Sequence, residues 1–305
     1  MRKFPYKKAL VTGGAGFIGS HLVERLLNEG CGVTVIDDLS EGSWKNLPTN
    51  PKLKKFKASV LDNVGKYVEG VDIIFHLAAL PRLKRSIDDP KQTHEVNVNG
   101  TFNMLLLAKA YKVKRFVFAS SSSVYGDQKS MPLTENMRPN PLVPYSLHKL
   151  IGEEYCKMFS DIWGLSTISL RFFNVYGVRM NPDSAYANLL PKFIKLIGNG
   201  ETPNINGSGK HSRDFTYITD VIEAIMLAAT SKVSGDVFNV GYGKSISVNK
   251  VVKILSKLMG KKVLPTHSPP VIEPKKTLAS NVKSKKILGW KPKVSFEEGV
   301  KTMIQ

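Results

Sequence analysis

Residues 12–19 read Thr-Gly-Gly-Ala-Gly-Phe-Ile-Gly, and they stand between a short apolar run, Ala9 to Thr12, and a stretch with helical apolar spacing, Ile18 to Asn28. A glycine-rich turn that joins a buried strand to a helix narrows the choice of fold sharply. The glycines permit the tight turn and let backbone N–H groups at the helix N-terminus approach a pyrophosphate. Here the spacing is Gly13-x-x-Gly16-x-x-Gly19, not the commoner Gly-x-Gly-x-x-Gly. A second strand-like run, Val33 to Ile36, leads into Asp37, eighteen residues past Gly19, where an acid can accept hydrogen bonds from an adenosine ribose. A carboxylate there repels a 2′-phosphate, and neither Asp38 nor Leu39 compensates. The expected cofactor is therefore NAD rather than NADP.

The alternation continues. Lys55 to Val60, Ile73 to Leu77 and Arg115 to Ala119 read as strands, and Thr93 to Ala110 as one long helix. Strands alternating with helices predict right-handed βαβ units and a Rossmann-like doubly wound α/β fold with a parallel sheet covered on both faces. Beyond about residue 175, prolines and the turn at Gly207 and Gly209 break the pattern into loops and short elements. The expected division is a cofactor domain over 1–174, rejoined by 214–242, and a smaller substrate-binding lid from 175–213 and 243–305. Asp62, after the third strand, is placed either against the adenine amino group or as a helix N-cap.

The 305 residues carry a formal charge of +19, which nucleic acid, an anionic membrane or anionic small molecules would all attract. The basic residues are scattered rather than clustered, which counts against nucleic acid. No apolar stretch is long enough to span a bilayer, and the N-terminal segment lacks a signal-peptide core. Two cysteines, Cys31 and Cys156, make no disulfide framework, and no histidine spacing suggests a metal site. A cytoplasmic protein without a metal or membrane partner is expected.

Tyr145 and Lys149, four apart at the start of a helix running to Trp163, share one face, and an ammonium near a phenol lowers its pKa. By itself that pair is weak evidence. It stands in order with Thr12 to Gly19, His76-Leu77-Ala78-Ala79, Asn97 to Thr101, Ser120 to Gly126, Arg171 to Gly177 and Arg213 to Asp220. Together these resemble the extended short-chain dehydrogenase/reductases, in particular the NAD-dependent epimerase/dehydratase family and most closely its UDP-glucose 4-epimerases. The resemblance implies Tyr145 as the proton acceptor, Lys149 on the nicotinamide ribose and Ser121 on the same sugar oxygen. By chemistry alone Ser122 and Ser123 are equal candidates, and four serines at a strand end can also form a hydrogen-bonded turn.

The resemblance further implies Gly13, Gly16, Phe17, Ile18, Gly19, Asp37, Asp38, Ser40, Gly42 and Asp62 around the adenosine and pyrophosphate. Leu77, Ala78, Ala79, Asn97, Ser120 and Phe172 complete the cofactor set. For the nucleotide sugar it implies Ser121, Ser122, Asn174, Asn188, Leu189 and Arg213, whose planar fork suits phosphate; a surface ion pair with Asp214 is the bland alternative for Arg213. Nearer the C-terminus this chain lacks the usual arginine, with Pro270 in its place; Glu273 stands in for the ribose-binding acid. Where dehydratases carry Asp-Glu before Val-Tyr-Gly, this chain has Ser122 and Ser123, which suits epimerisation rather than elimination. Thr277 replaces a bulky tyrosine and leaves room beside the sugar C2. The expected activity is interconversion of UDP-glucose and UDP-galactose, extending to UDP-GlcNAc and UDP-GalNAc, by a homodimer. Alternatives are another nucleotide-sugar dehydratase, decarboxylase or reductase, or a non-catalytic NAD- or RNA-binding relative. His76 is expected as a packed element of the cofactor wall, and Glu153 with Glu154 as a solvated helix face.

Overall fold

The computed structural model describes residues 4–182, 189–271 and 274–304, so Asn188 and Glu273 lie outside the described residues. The first half runs β1 (Lys8–Thr12), α1 (Phe17–Asn28), β2 (Gly32–Asp37), β3 (Leu53–Lys57), α2 (Gly65–Val68) and β4 (Ile73–His76), with β2 and β3 joined by a loop rather than an α-helix. Then come α3 (Leu83–Asp88), α4 (Pro90–His94), α5 (Gly100–Ala110), β5 (Arg115–Ser121), α6 (Pro144–Trp163) and β6 (Thr167–Phe172). Shorter pieces follow: β7 (Val175–Tyr176), α7 (Leu189–Gly198), β8 (Asn204–Asn206), β9 (Ser212–Asp214) and β10 (Thr216–Tyr217). The chain ends with α8 (Ile218–Thr230), β11 (Asp236–Val240), β12 (Ser245–Ser247), α9 (Val248–Leu258), β13 (Thr266–Ser268) and α10 (Phe296–Ile304).

The seven-stranded sheet runs β11-β6-β5-β4-β1-β2-β3, with every pairing parallel. Alternate residues of each strand point to opposite faces, and both faces are buried. Val11, Val33, Val35 and Phe75 pack with Leu22 and Val23 of α1 and Val221 and Ile225 of α8. Leu10, Ile36, Ile74 and Phe116 pack with Met104 and Leu105 of α5 and Phe159 of α6. At roughly 25 cal/mol per Å² of apolar surface, covering two faces is the main driving force of such a sheet. The strand order reverses between β1 and β4, the place where a doubly wound sheet opens a crevice beyond its strand ends.

The polypeptide after β6 forms three two-stranded pairs, β7 with β10, β8 with β13 and β9 with β12, around the packed helices α7, α9 and α10. Before that excursion ends, α8 has packed on α1, and β11 then joins the open edge of β6. No helix among the described residues is long and apolar enough to cross a membrane.

Two sequence expectations shift. The third strand is Leu53–Lys57 rather than Lys55 to Val60, because the chain turns out of the sheet after Lys57. The helix expected over Thr93 to Ala110 is instead α4, a wide helical turn at Glu95–Asn99 and then α5. Within that turn Asn97 faces inward and bonds both backbone polar atoms of Leu80, at 2.8 and 3.0 Å.

Candidate active site

The crevice starts at the first turn. Gly13 takes φ +69°, and a Cβ there would stand 2.7 Å from the backbone N of Ala78, on the strap that follows β4. A Cβ on Gly19 would lie 2.1 Å from the carbonyl oxygen of Gly13, so helix and turn meet backbone to backbone. Gly16 is the N-cap of α1 and offers no side chain to its first turn, which leaves N–H groups and the positive end of the helix dipole directed outward.

They face a cavity of about 520 Å³. At one end Asp37, 7% exposed, accepts from the backbone N of Ala15 at 2.9 Å and of Leu39 at 2.8 Å. Burial pushes its carboxyl upward, and those two N–H donors oppose the shift. Asp38 accepts from Ser40 through both N–H and hydroxyl, which shapes the adjoining loop. Gly42 packs so close that a Cβ would lie 2.8 Å from a carboxylate oxygen of Asp37.

At the other end Pro144 occupies the first helical position of α6, where it needs no N–H partner, and this sets Tyr145 in the first turn with Lys149 one turn on. The Lys149 ammonium, 4% exposed, donates to the carbonyl of Ala119 at 2.8 Å and sits 4.9 Å from the centre of the Phe118 ring. Burial lowers its pKa to about 8. The Tyr145 phenol is raised by burial; the charge of Arg82 and a hydrogen bond with Ser121 pull it back.

Of the cofactor residues expected from the sequence, all but Asp62 and Asn97 line this cavity, from Gly13 through Leu77, Ala78 and Ala79 to Ser120, Lys149 and Phe172. Asp62 is exposed, and its carboxylate closes a local turn by accepting from Ser59 N at 2.7 Å; the N-cap of α2 is Val64 instead. Asn97 shapes the cavity through Leu80 rather than touching its space. His76, fully buried, bridges Thr12 at 2.8 Å and Thr101 at 3.0 Å, and burial lowers its pKa to about 3. It is therefore a neutral element of the wall.

Of the residues expected to hold substrate, Asn174, Arg213 and Thr277 come together beside β7 and β9. Asn174, at φ +26°, donates to the Thr277 hydroxyl and to the Asp214 carbonyl, each at 3.3 Å, and Thr277 also accepts from Asp214 N at 3.1 Å. The Asp214 carboxylate, fully buried, takes three backbone N–H donors, from Tyr242, Gly243 and Ala279, at 2.7 to 2.9 Å. Burial still lifts its pKa to about 6. That makes Asp214 a structural clamp rather than a surface partner of Arg213, the half-buried residue before it. Leu189 opens α7 and packs on the main core. Ser121 caps the turn Ser122–Tyr125 by accepting from Ser123 N at 3.2 Å.

Glu153 corrects the sequence reading. It is not solvated: it is 4% exposed, accepts from the Ser120 hydroxyl and from Nε and Nη2 of Arg171 at 2.9 and 2.7 Å. The Arg171 guanidinium in turn lies 4.6 Å from the centre of the Tyr125 ring, whose hydroxyl donates to Asn239 at 2.7 Å. The signal was present: Glu153 is four residues past Lys149 and shares its face. Arg82, Arg179 and Asn181 also line the cavity and were not anticipated.

The residues fit NAD. The cavity offers an acceptor at one end for ribose hydroxyls, uncapped N–H donors for a pyrophosphate, and a phenol with a lysine at the other end. The profile of the NAD dependent epimerase/dehydratase family matches residues 9–241. The chain belongs to that family. Its cofactor is NAD. The chain is 35% identical over 306 residues to a UDP-glucose 4-epimerase of Mycolicibacterium smegmatis, covering 98% of this chain and 97% of that one. The UDP-N-acetylglucosamine 4-epimerase of Methanobrevibacter ruminantium M1, solved with UDP-N-acetylmuramic acid, superposes with a TM-score of 0.94 at 35% identity, over 98% and 97% of the chains. The UDP-glucuronic acid 4-epimerase of Bacillus cereus, solved with UDP-glucuronic acid and NAD, gives 0.91 at 33% identity, over 97% of each chain.

Proposed function

We propose that this family member is a UDP-sugar 4-epimerase, interconverting UDP-glucose with UDP-galactose and UDP-GlcNAc with UDP-GalNAc. The observation that carries the reading is Tyr145 on the cavity wall with the Lys149 ammonium 5.9 Å from its ring centre, and with serines at 122 and 123 where elimination would need a carboxylic acid and its base. Tyr145 as phenolate takes the proton of the sugar O4, Ser121 holds the same oxygen, and the Lys149 ammonium favours the phenolate. Bound NAD supplies the hydride acceptor and donor for C4. Turning of the sugar in the site then exposes its other face, and Tyr145 returns the proton to O4.

Arg213 and Asn174 serve the diphosphate, and Thr277, small and tied to Asn174, leaves the space beside C2 that an N-acetyl group requires. Exposed apolar side chains on the two long helices, Leu106 on α5 and Leu147, Ile162 and Trp163 on α6, support a homodimer joined there. The free, buried thiols of Cys31 and Cys156 are in keeping with a cytoplasmic setting. The test is incubation of the NAD-loaded protein with UDP-galactose and chromatographic detection of UDP-glucose. Conversion should appear and should fall at least about a hundredfold in Tyr145→Phe; conversion that survives this substitution would overturn the mechanism.

A further inference from the structure

The pairing of β4 with β5 ends at His76 and Phe118, so Ala119, Ser120 and Ser121 run on into the crevice with β6 alone beside them. A strand end with a neighbour on one side only is less firmly held than one inside the sheet. Here α6 supplies what the ladder does not, one residue per turn. Tyr145, Lys149 and Glu153 stand four apart on one helix face. The Lys149 ammonium donates to the Ala119 carbonyl at 2.8 Å, and Glu153 accepts from the hydroxyl of Ser120, the residue before Ser121. Arg171 is the register partner of Ser120 on β6, and both side chains meet on the same carboxylate oxygen of Glu153.

Stability alone is a poor reason for a buried ion pair, which apolar side chains of the same volume replace without loss. The position of Glu153 supplies a better one. We infer that Glu153 is a positioning residue for the reaction: through Ser120 it holds the β5 end that carries Ser121, and it is the counter-charge of the Lys149 ammonium on the same helix face. The inference rests on the reading of Tyr145 and Lys149 as the proton-handling pair of an epimerase and adds the group that aligns them. Burial works against the Lys149 charge, and Glu153 favours it. The other titratable groups around this ammonium are Tyr145, His148 and Cys156 on α6, His76 at the end of β4, and Arg171, which is paired with Glu153. Burial leaves both histidines neutral at pH 7, with pKa values of about 4 for His148 and about 3 for His76, and pushes the Cys156 thiol up to about 12. Glu153 is therefore the standing anion of the group.

The experiment follows epimerisation of UDP-galactose by the NAD-loaded protein across pH, in the wild type, Glu153→Gln, Glu153→Asp and Ser120→Ala, with rates taken per folded molecule. In Glu153→Gln kcat should fall at least about tenfold while KM changes less than about twofold. The alkaline limb of kcat, where Lys149 gives up its proton, should move to lower pH by at least about half a unit. Glu153→Asp keeps the charge on a shorter arm and should leave the limb where the wild type has it. Ser120→Ala strands no charge, and should lower kcat about fivefold with the limb unmoved. A carboxylate that only held the fold together would change the yield of folded protein, but neither the limb nor the split between kcat and KM. An unmoved limb in Glu153→Gln, or a wild-type kcat in Ser120→Ala, would overturn the inference. Should Glu153→Gln fail to fold, Ser120→Ala decides alone: a lowered kcat supports the inference and a wild-type kcat overturns it. Urea denaturation of the NAD-free protein, with and without Lys149→Met, gives a readout that needs no substrate. The stability that Lys149 gains with rising pH starts near pH 8 in the wild type and should start lower in Glu153→Gln, because a lower folded pKa opens that window sooner. If no sugar nucleotide reacts, the epimerase reading falls, and the urea comparison then decides whether Glu153 supports the Lys149 charge.

Discussion

Lys149 should cost the apoprotein stability in exchange for chemistry, and the cost can be worked out. Its ammonium is 4% exposed, and burial lowers its pKa from 10.5 to about 8. At 1.36 kcal/mol per pH unit this corresponds to about 3 kcal/mol spent at neutral pH on keeping the charge out of water. Lys149→Met keeps the length of the side chain and removes the charge, but it also removes the 2.8 Å hydrogen bond to Ala119, worth about 1 kcal/mol. The NAD-free variant should therefore be more stable than the wild type by about 2 kcal/mol at pH 7.

The sign follows from proton counting. Between about 8 and 10.5 the unfolded wild type holds a proton on Lys149 that the folded form has shed. Wild-type stability attributable to this group therefore rises with pH across that window, by about 3 kcal/mol in all, while the methionine variant gains nothing there. Urea denaturation of both proteins at pH 7 and at pH 10.5 measures the gap. The gap should reverse sign, with the wild type ahead by about 1 kcal/mol at the higher pH. A variant already less stable at pH 7, or a gap that does not move with pH, would refute the reasoning.

Glu153→Gln should destabilise the protein by about 3–5 kcal/mol in the same urea assay, because it strands the Arg171 charge in a buried pair whose members are 5% and 3% exposed; a loss below about 1 kcal/mol would mean that Arg171 finds another anion. Thr277→Tyr should fill the space beside the sugar C2 and lower the ratio of kcat/KM for UDP-GlcNAc to that for UDP-glucose at least about tenfold. Equal losses on both sugars would show that the damage lies in the bonds Thr277 makes to Asn174 and Asp214.

The sheet and the cofactor end were legible because they rest on local rules. Gly13, Gly16 and Gly19 mark a strand–turn–helix, Asp37 marks the end of the next strand, and the buried runs of β1, β2, β4 and β5 are continuous and apolar. The strand β3 was misplaced because it is the sheet edge: Leu-Lys-Lys-Phe-Lys buries only its two apolar residues in part, so the pattern is faint. Arg82 and Glu153 were missed for another reason. Arg82 lies on a loop, where no periodicity says which way a charge faces; Glu153 does share the face of Lys149, but what buries it is Arg171, which reaches that face of α6 from a strand formed later in the chain. Asp62 went astray because a short acidic side chain serves a turn, a cap or a ligand equally well, and the Ser59 N–H happened to be nearest.

The position of β11 has a consequence for how such a protein is made. Its pairing with β6 closes the sheet, yet it is synthesised only after α7, four of the short strands and α8 have emerged. Until then a nascent chain carries β6 as a bare edge whose N–H and C=O groups invite pairing with any other strand. The cofactor-binding half thus cannot be cut out at residue 174 and expected to behave as an autonomous module. A minimal soluble fragment has to reach at least Val240, taking with it β7 to β10 and α7.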